Sequence, residues 1–332
     1  MVKWGIVGLG NMAHKFAQSI SEVDNAQLSG IASLNKNRLS AFKNNFSISE
    51  KDSFSNYIEL IESNKVDAIY ISTLNNSHID LIIKCAENNK NILCEKPITL
   101  NYEDAKKAQK IIKDNNVIFF EGYAYRSHPQ TKKIIDLINN ADFGDVVSIK
   151  AEFGFCVKKI KPKSRLFSKK LGGGSVLDVG CYPLSFINLF DDEENEIKFE
   201  KVSGSFVSKD VDDFAEAKII VNNKIKCLVK SSFKENLKNK IEIKGTKKNL
   251  IINNPWLPDK KTTLEIGNNE SYHKEFINSE FSLYANQIKK ISESFEKKII
   301  NDKYLVNIDE SVKIMENLTN WLELIRKKYQ SS

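Results

Sequence analysis

Lys-Trp-Gly-Ile-Val-Gly-Leu-Gly-Asn-Met-Ala, residues 3–13, is the stretch that decides the fold. A short apolar run ends at Val7, and the pattern Gly-x-Gly-x-x-Ala then leads from Gly8 to Ala13 into a helical pattern. In such a strand–turn–helix the first glycine permits the tight turn, and the second lets the backbone approach a pyrophosphate. Ala13, in place of a third glycine, still lets the helix pack on the strand, and the N–H groups at the helix start face the phosphates. We therefore predict that this turn binds a dinucleotide through Gly8, Leu9, Gly10, Asn11 and Met12.

Short apolar strands alternate with amphipathic helices in the rest of residues 1–122. Strands this short and rich in Ile and Val are typical of a parallel sheet that is buried on both faces. Asn101 has the residue type and position of a helix N-cap, with Asp104 in the first turn. The alternation predicts a doubly wound α/β domain of the Rossmann type. The predicted strands are Lys3–Val7, Gln27–Ala32, Ala68–Ile71, Ile92–Cys94 and Val117–Phe120, and the predicted helices are Met12–Ile20, Asn37–Asn44, Tyr57–Ser63, Ile79–Asn88 and Tyr102–Asp114.

A second pattern begins at residue 123, where strands follow one another in succession. Such succession predicts a C-terminal α+β domain over residues 123–332, with a large, mostly antiparallel, open-faced sheet. The final stretch is amphipathic at helical spacing. The predicted strands are Val146–Phe155, Val202–Val207, Ala215–Val221, Lys224–Phe233, Lys240–Lys244 and Asn249–Ile252, and the predicted helices are Pro129–Asn139 and Ile308–Tyr329.

The composition excludes several other classes of protein. Hydrophobic residues make up 41% of the 332 residues, and no apolar run is long enough to span a bilayer. The N-terminal residues enter a strand pattern without the zones of a signal peptide, so a cytoplasmic location is expected. Five cysteines without a CxxC pair and four histidines without paired spacing favour no disulfide framework and no metal site.

The formal net charge of +7 raises the question of nucleic-acid binding. Lysine is spread along the chain, and the basic residues are not interleaved with aromatic ones. The local cluster at residues 158–163 is interpreted as a solvated or substrate-facing loop, with nucleic-acid binding as the less favoured alternative.

The end of the second strand bears on which cofactor is bound. An NAD site usually places an acidic residue there for the ribose 2′-hydroxyl, and residues 30–38 contain none. Ser33, Lys36 and Arg38 could instead accept a 2′-phosphate, with Leu34 beside them. NADP is therefore the expected cofactor, with NAD possible. In the alternative interpretation Lys36 and Arg38 are only exposed helix residues.

Three further segments carry a family resemblance: Ile71–His78, the run Leu93-Cys94-Glu95-Lys96-Pro97, and Gly172–Pro183. Together with the glycine turn they resemble the family of glucose–fructose oxidoreductase, inositol dehydrogenase and rhizopine-catabolism proteins (Gfo/Idh/MocA), in motif order over nearly the whole chain. Residues 121–129 and 165–167 look like the branch that contains dimeric dihydrodiol dehydrogenase and xylose dehydrogenases. Tyr182 stands where inositol dehydrogenases carry a histidine, which puts an inositol substrate in doubt.

The resemblance implies a role for each of three residues. Lys96 would donate to the reacting oxygen, because a positive charge stabilises the negative charge that develops there. Tyr182 would be the general acid/base. Asp178, four residues earlier, would orient the substrate hydroxyl or Lys96. Alternatively, Asp178 is a helix N-cap and Tyr182 a core residue. Further implied cofactor contacts are Thr73, Leu74, Asn75, His78, Glu95 and Lys96, and further implied substrate contacts are Arg126, His128 and Arg165. Alternatively, His78 only caps or braces the next helix, and Arg126 and His128 tie the domain junction.

The expected function is therefore NAD(P)-dependent hydride transfer to or from a carbinol carbon of a sugar, polyol or cyclic diol. A close alternative is a ketoreductase acting on a nucleotide-activated sugar, for which the basic residues of 158–170 could serve. A different class, a cofactor-binding regulator without turnover, is disfavoured because Lys96, Asp178 and Tyr182 are all present. A sheet face left uncovered by helices should expose a large apolar surface, which predicts a homodimer or homotetramer. Lys96–Pro97 is a candidate cis peptide bond.

Overall fold

The structure is a computed structural model that describes residues 1–190, 197–208, 210–268 and 270–330. Its fifteen strands in the described residues form one seven-stranded and one eight-stranded sheet. In chain order the strands are β1 Val2–Val7, β2 Ala26–Ala32, β3 Ser53–Phe54, β4 Ala68–Ile71, β5 Asn91–Cys94, β6 Phe119–Glu121, β7 Val146–Gly154, β8 Lys198–Ser208, β9 Val211–Val221, β10 Ile225–Ser232, β11 Lys240–Gly245, β12 Asn249–Asn253, β13 Lys261–Gly267, β14 Tyr272–Asn278 and β15 Val306–Asn307.

Nine α-helices accompany the strands in the same described ranges. A π-helical stretch, Val176–Gly180, directly precedes the seventh helix. The α-helices are α1 Asn11–Ser19, α2 Lys36–Phe46, α3 Tyr57–Glu62, α4 His78–Glu87, α5 Tyr102–Asp114, α6 Pro129–Ile138, α7 Cys181–Ile187, α8 Leu283–Lys297 and α9 Ile308–Gln330.

The seven-stranded sheet has the order β15-β6-β5-β4-β1-β2-β3, and every strand except β15 is parallel to its neighbour. Chain order reverses direction at β1, between β2 and β4, which is the switch point where doubly wound sheets bind ligands. This confirms the predicted Rossmann sheet. The Asn101 side chain accepts from the Asp104 N–H at 2.9 Å, so the predicted N-cap of α5 is also correct.

The core of this sheet includes helix α8, which comes from much later in the chain. Trp4 of β1 donates to the Ser292 hydroxyl at 3.0 Å, and its ring lies 5.5 Å from that of Phe295. The C-terminal segment therefore supplies part of the apolar packing for the first strand.

The eight-stranded sheet has the order β14-β13-β12-β11-β7-β10-β9-β8. Only β7 and β10 pair in parallel, and the other neighbours among the described strands are antiparallel, as the sequence predicted. Ile149, Val229, Ile219 and Ile243 are buried on one face of the central strands.

The opposite face of this sheet is charged. Six lysines and three glutamates lie on that face of the four central strands, and we call it the outer face. The expectation of a large apolar surface on this sheet is therefore wrong. The charged residues of the outer face are Lys150, Lys218, Lys226, Lys230, Lys240, Lys244, Glu152, Glu216 and Glu242.

Six elements were not predicted from the sequence. One is helix α7, which has only seven residues and directly follows the π-helical stretch. Strands β3 and β15 have two residues each, too short for a periodic signal. Strands β13 and β14 carry many charged and polar residues and lie at the edge of their sheet. Helix α8 also buries polar residues such as Gln287 and Ser292, so its hydrophobic periodicity in the sequence is weak.

The chain divides into two compact units, and neither is a continuous stretch. The first unit contains 1–128 and 280–312, and the second contains 129–279 and 313–332. These units are defined by packing within the fold, and the division into two domains, 1–122 and 123–332, stays a prediction. Within the described ranges, no helix is long and apolar enough to cross a membrane.

Candidate active site

The glycine turn lies at the switch point of the first unit. Gly8 has φ +90°, and a Cβ there would lie 2.6 Å from the Thr73 methyl group. Its N–H donates to the Ala32 carbonyl at 3.0 Å, and its own carbonyl accepts from the Ser72 hydroxyl at 2.6 Å. The turn is thereby fixed between the ends of three neighbouring strands, and Gly8 is required for the backbone conformation itself.

Gly10 has different surroundings from Gly8. A Cβ on Gly10 would meet nothing within 4 Å, so its missing side chain leaves open space in front of α1. Gly10 is also the N-cap of α1, and no side chain caps the first turn. Uncapped N–H groups facing open space fit a pyrophosphate. The side chain of Leu9 is buried in the core, so Leu9 can contribute only its backbone.

The end of β2 presents polar and basic groups without an acidic one. Ser33 is buried and its hydroxyl accepts from the Asn35 N–H at 3.2 Å. Asn35 caps α2 by accepting from the Arg38 N–H at 3.0 Å, while the Arg38 side chain is exposed. Tyr57 lies nearby, where burial raises the pKa of its hydroxyl and the Leu34 backbone and Arg38 charge oppose that rise. These groups fit a 2′-phosphate better than a ribose diol.

The turn after β4 is held together by its own hydroxyl groups. Ser77 donates to the Thr73 hydroxyl at 2.8 Å and to the Leu74 carbonyl at 2.8 Å. The Leu74 side chain is exposed and Asn75 is half-buried. Thr73, Leu74 and Asn75 are therefore presented at the same sheet edge as Gly8, which is where we predicted cofactor contacts.

His78 lies behind this turn. It is fully buried, with Nδ1 3.0 Å from the Pro97 carbonyl and Nε2 3.4 Å from the Thr73 carbonyl. Burial lowers the pKa of its imidazole. His78 thus connects the turn after β4 to the turn after β5. Its side chain braces the cofactor-side turns from inside the fold, and a direct cofactor contact remains only a prediction.

Lys96 follows β5, and the Lys96–Pro97 bond is cis, as expected. Lys96 and Glu95 are half-buried. The Tyr70 hydroxyl donates to the Glu95 carboxylate at 2.5 Å. Behind them Glu121, at the end of β6, accepts from the Ile98 N–H at 2.8 Å. Burial raises the pKa of the Glu121 carboxyl to about 8, although hydrogen bonds and the Lys96 charge oppose that rise.

Arg126 and His128, expected at the substrate, are both buried. The Arg126 guanidinium bonds the Glu310 carboxylate at 2.7 and 3.2 Å and the Lys303 carbonyl at 2.8 Å. It thus ties residues 303–310 to the end of the Rossmann segment within the first unit. This is a structural role for Arg126, and a substrate contact through either residue stays a prediction.

In the second unit, Asp178 lies on the π-helical stretch and is nearly buried. Its carboxylate accepts from Arg165 at 2.6 Å, in an ion pair where the Arg165 side chain is 54% exposed and that of Asp178 10%. The sequence named both residues but did not predict that they pair. Asp178 is therefore held in place by the second unit itself.

The Tyr182 ring is fixed by aromatic neighbours. Its centroid lies 5.2 Å from that of Phe153, edge to face, and 5.9 Å from that of Trp256. Trp256 is itself anchored by donating to the Glu152 carbonyl at 3.0 Å. Tyr182 is half-buried, so one side of a positioned ring remains accessible.

A buried polar network holds the glycine run that leads to Asp178. One oxygen of Asp212 accepts from the Ser175 hydroxyl at 2.7 Å and the Val176 N–H at 2.9 Å. The other lies 2.2 Å from where a Cβ of Gly174 would be, and Gly174 has φ +123°. Sequence reasoning missed Asp212 and Trp256. Asp212 lies before the predicted strand Ala215–Val221 and among other acidic residues, so nothing local singled it out, and nothing local indicated Trp256.

Comparison with known proteins gives a family match for both parts of the chain. Residues 2–123 match an oxidoreductase family with an NAD-binding Rossmann fold, and residues 131–251 match the Gfo/Idh/MocA C-terminal domain. A trans-1,2-dihydrobenzene-1,2-diol dehydrogenase from Xenopus tropicalis is 30% identical over 260 residues, 77% of each chain. The chain belongs to the Gfo/Idh/MocA oxidoreductase family. The resemblance drawn from the sequence is thereby confirmed.

Two other comparisons are informative. A D-xylose 1-dehydrogenase (NADP(+)) from Haloferax volcanii is 30% identical over 187 residues, 56% of each chain. The crystal structure of an aldose-aldose oxidoreductase from Caulobacter crescentus shares the fold, with a TM-score of 0.88 and 19% identity over 98% of each chain. The chain is thus an NAD(P)-dependent oxidoreductase of the class that acts on CH–OH groups.

Proposed function

We propose that the protein transfers a hydride between NADP and a carbinol or carbonyl carbon of a sugar, polyol or cyclic diol. The observation that carries this proposal is the open backbone at Gly10 in front of an uncapped helix, in a chain that retains Lys96, Asp178 and Tyr182. The relatives named for diol and xylose dehydrogenation support the substrate range.

Each of the three residues has a distinct role in this proposal. Tyr182, held by Phe153 and Trp256, takes the hydroxyl proton in the oxidative direction. The Lys96 ammonium stabilises the alkoxide that develops. Asp178, fixed by Arg165, accepts a hydrogen bond from a substrate hydroxyl and sets its orientation. Bound NADP supplies the hydride acceptor, and Gly8, Gly10 and the N–H groups that open α1 hold its pyrophosphate.

The test is turnover on a panel of aldoses, inositols, dihydrodiols and nucleotide-activated sugars, followed by the absorbance of the reduced nicotinamide. Tyr182→Phe should lower kcat on the best substrate by about 10²–10⁴ and leave NADP affinity unchanged, since only proton transfer is removed. Lys96→Met should be at least as damaging. Tyr272→Phe, at an exposed tyrosine of the same unit, is the matched control.

Near-normal turnover by Tyr182→Phe would remove Tyr182 as the proton carrier. NADP binding without turnover of any panel member would favour the regulator instead.

NADP preference is a separate proposal, supported by Ser33, the exposed Arg38 and the lack of an acid at the end of β2. Arg38→Ala should weaken NADP binding by about tenfold, because a charge-assisted contact is lost, and should leave NAD binding unchanged. Calorimetry with both cofactors makes NAD the internal control. Equal weakening of both, or tighter binding of NAD by the wild-type protein, would contradict the preference.

We further propose that the protein works in the cytoplasm as a homodimer or homotetramer, with a small molecule as its substrate and no nucleic-acid partner. All five cysteines are free thiols, which is usual in a reducing compartment. Fractionation of cells that express a tagged chain tests the location.

A further inference from the structure

Residues 158–170, which we call the basic loop, carry an unusual local charge. Seven of these thirteen residues are basic and none is acidic, against 50 basic and 43 acidic residues in the whole chain of 332. Two of them have acidic partners, Arg165 with Asp178 and Lys169 with Asp210. Among the described residues, the other five have none: Lys158, Lys159, Lys161, Lys163 and Lys170.

The basic loop is anchored at both ends. Before it, the Val157 N–H donates to the Phe233 carbonyl at 2.8 Å. Near its end, Phe167 is buried against Phe233 and Val179, and the Leu166 carbonyl accepts from the Gly174 N–H at 3.0 Å. The part between, 158–163, is exposed. A loop with fixed ends holds its lysines at a defined place, unlike a solvated tail.

Arg165 connects this charge to the substrate residue Asp178. One of its nitrogens, Nη1, donates to Asp178, and this is the only hydrogen bond of the Arg165 side chain in the described part of the chain. A guanidinium has five N–H donors in a planar fork. The Arg165 side chain is 54% exposed and makes this one hydrogen bond among the described residues, so it keeps donors for a ligand beside the carboxylate. Arg165 can therefore bond Asp178 and an anion at the same time.

We propose that the substrate carries a phosphoryl group, which the basic loop and Arg165 bind while Asp178 binds a substrate hydroxyl. This inference rests on the proposed function and narrows its substrate class. A phosphoryl group fits both kinds of donor present, the planar fork of arginine and the point charges of lysines. A neutral sugar would form no ion pair with the lysines of the basic loop. A bound anion would also reduce the repulsion among those lysines.

The experiment compares each panel sugar in three forms, free, as the monophosphate and as the nucleoside diphosphate ester, with NADP(H) saturating. The double variant Lys161→Ala/Lys163→Ala should lower kcat/KM for the phosphorylated form by about tenfold, because two charge-assisted contacts are lost. It should leave kcat/KM for the free sugar and the KM for NADPH unchanged. The monophosphate and diphosphate arms distinguish a sugar phosphate from a nucleotide-activated sugar.

The matched control is Lys107→Ala/Lys110→Ala on α5, which removes the same charge from exposed lysines in the other unit. It should behave as wild type. The reversed-charge variant Lys161→Glu/Lys163→Glu should enlarge the loss, and added salt should reduce it.

A binding assay separates this inference from the proposed function. Pyrophosphate should bind to the NADP-saturated protein, and the loop variant should lose that binding while the α5 control keeps it. Such a result without turnover of any substrate would contradict the proposed function and leave the anion site standing. Two outcomes would overturn the inference. One is that the loop variant loses kcat/KM equally on free and phosphorylated sugar. The other is that the protein binds no pyrophosphate and prefers free sugars.

Discussion

Glu121 shows how a residue acquires chemistry from its surroundings that its type does not reveal. It is a carboxyl at the end of a buried strand, and one of its oxygens accepts from the Ile98 N–H. Lys96 follows β5, and Glu310 and Ser311 on α9 face the carboxyl. Burial is the largest influence and raises its pKa from 4.5 to about 8.

This shift predicts how stability depends on pH. Between pH 4.5 and about 8 the folded protein keeps a proton that the unfolded chain has released, so the free energy of unfolding falls as pH rises. The contribution of Glu121 to stability is fully present below pH 4.5 and is lost by about pH 8. Between these values the free energy of unfolding falls by about 1.4 kcal/mol per pH unit. Glu121→Gln keeps an acceptor for Ile98 and cannot titrate, so it should remove this slope.

The measurement is denaturant unfolding of both proteins across that pH window. Glu103→Gln, at an exposed carboxylate that pairs with Lys106, should keep the wild-type slope. If wild type and Glu121→Gln lose stability in parallel, Glu121 is ionised in the folded protein and the raised pKa is wrong.

At the scale of elements, the two glycines of the glycine turn should respond differently to substitution. Gly8→Ala should destabilise the protein by about 1–3 kcal/mol, because the backbone has φ +90° and the new methyl would overlap Thr73. Gly10→Val should change stability by less than about 1 kcal/mol, since Gly10 is extended and nothing is within 4 Å.

For Gly10→Val, NADP(H) binding should change more than stability does. Gly10→Val places a side chain where the pyrophosphate is proposed to lie, so NADP(H) affinity should fall by more than tenfold, which calorimetry measures. Thermal unfolding of both variants provides the comparison. Unchanged affinity in a folded Gly10→Val protein would show that the pyrophosphate lies elsewhere.

The elements differ in how far the sequence could predict them. Strands such as β4 and helices such as α5 carry strong local periodicity, and both were predicted with their observed ends. Side-chain direction is not local. The sequence left open whether His78 contacts the cofactor or braces its surroundings, and only the fold shows that its ring nitrogens lie beside two backbone carbonyls. Trp256, which fixes Tyr182, is far from it in sequence, so no spacing could connect them.

For the whole molecule, the outer face of the second sheet decides how copies of the chain could associate. Some of its charges pair across strands, as with Lys230 and Glu216 at 2.6 Å, but lysines outnumber glutamates. Two such faces brought together would repel. If the homodimer forms through this face, its association should therefore strengthen as salt screens the lysines.

Sedimentation velocity at low and high salt tests this expectation. The dimer should have about twice the 37.8 kDa mass of the chain and should be more populated at high salt. Lys218→Glu should favour it at low salt, because Lys218 lies opposite Lys201 with no acidic neighbour in that register. A monomer at micromolar concentration under both conditions would contradict the dimer, and weakening by salt would place its interface elsewhere.

The discontinuous first unit has a consequence for how the protein is made. Helix α8 covers Trp4 and strand β15 completes the sheet edge beside β6, yet both lie much later in the chain than the strands they cover. Domains usually fold as they leave the ribosome, N-terminal ones first. Here the nascent Rossmann segment must wait with an uncovered apolar face until residues 280–312 have emerged. We therefore expect chaperones to protect the Rossmann segment during translation until residues 280–312 can pack against it.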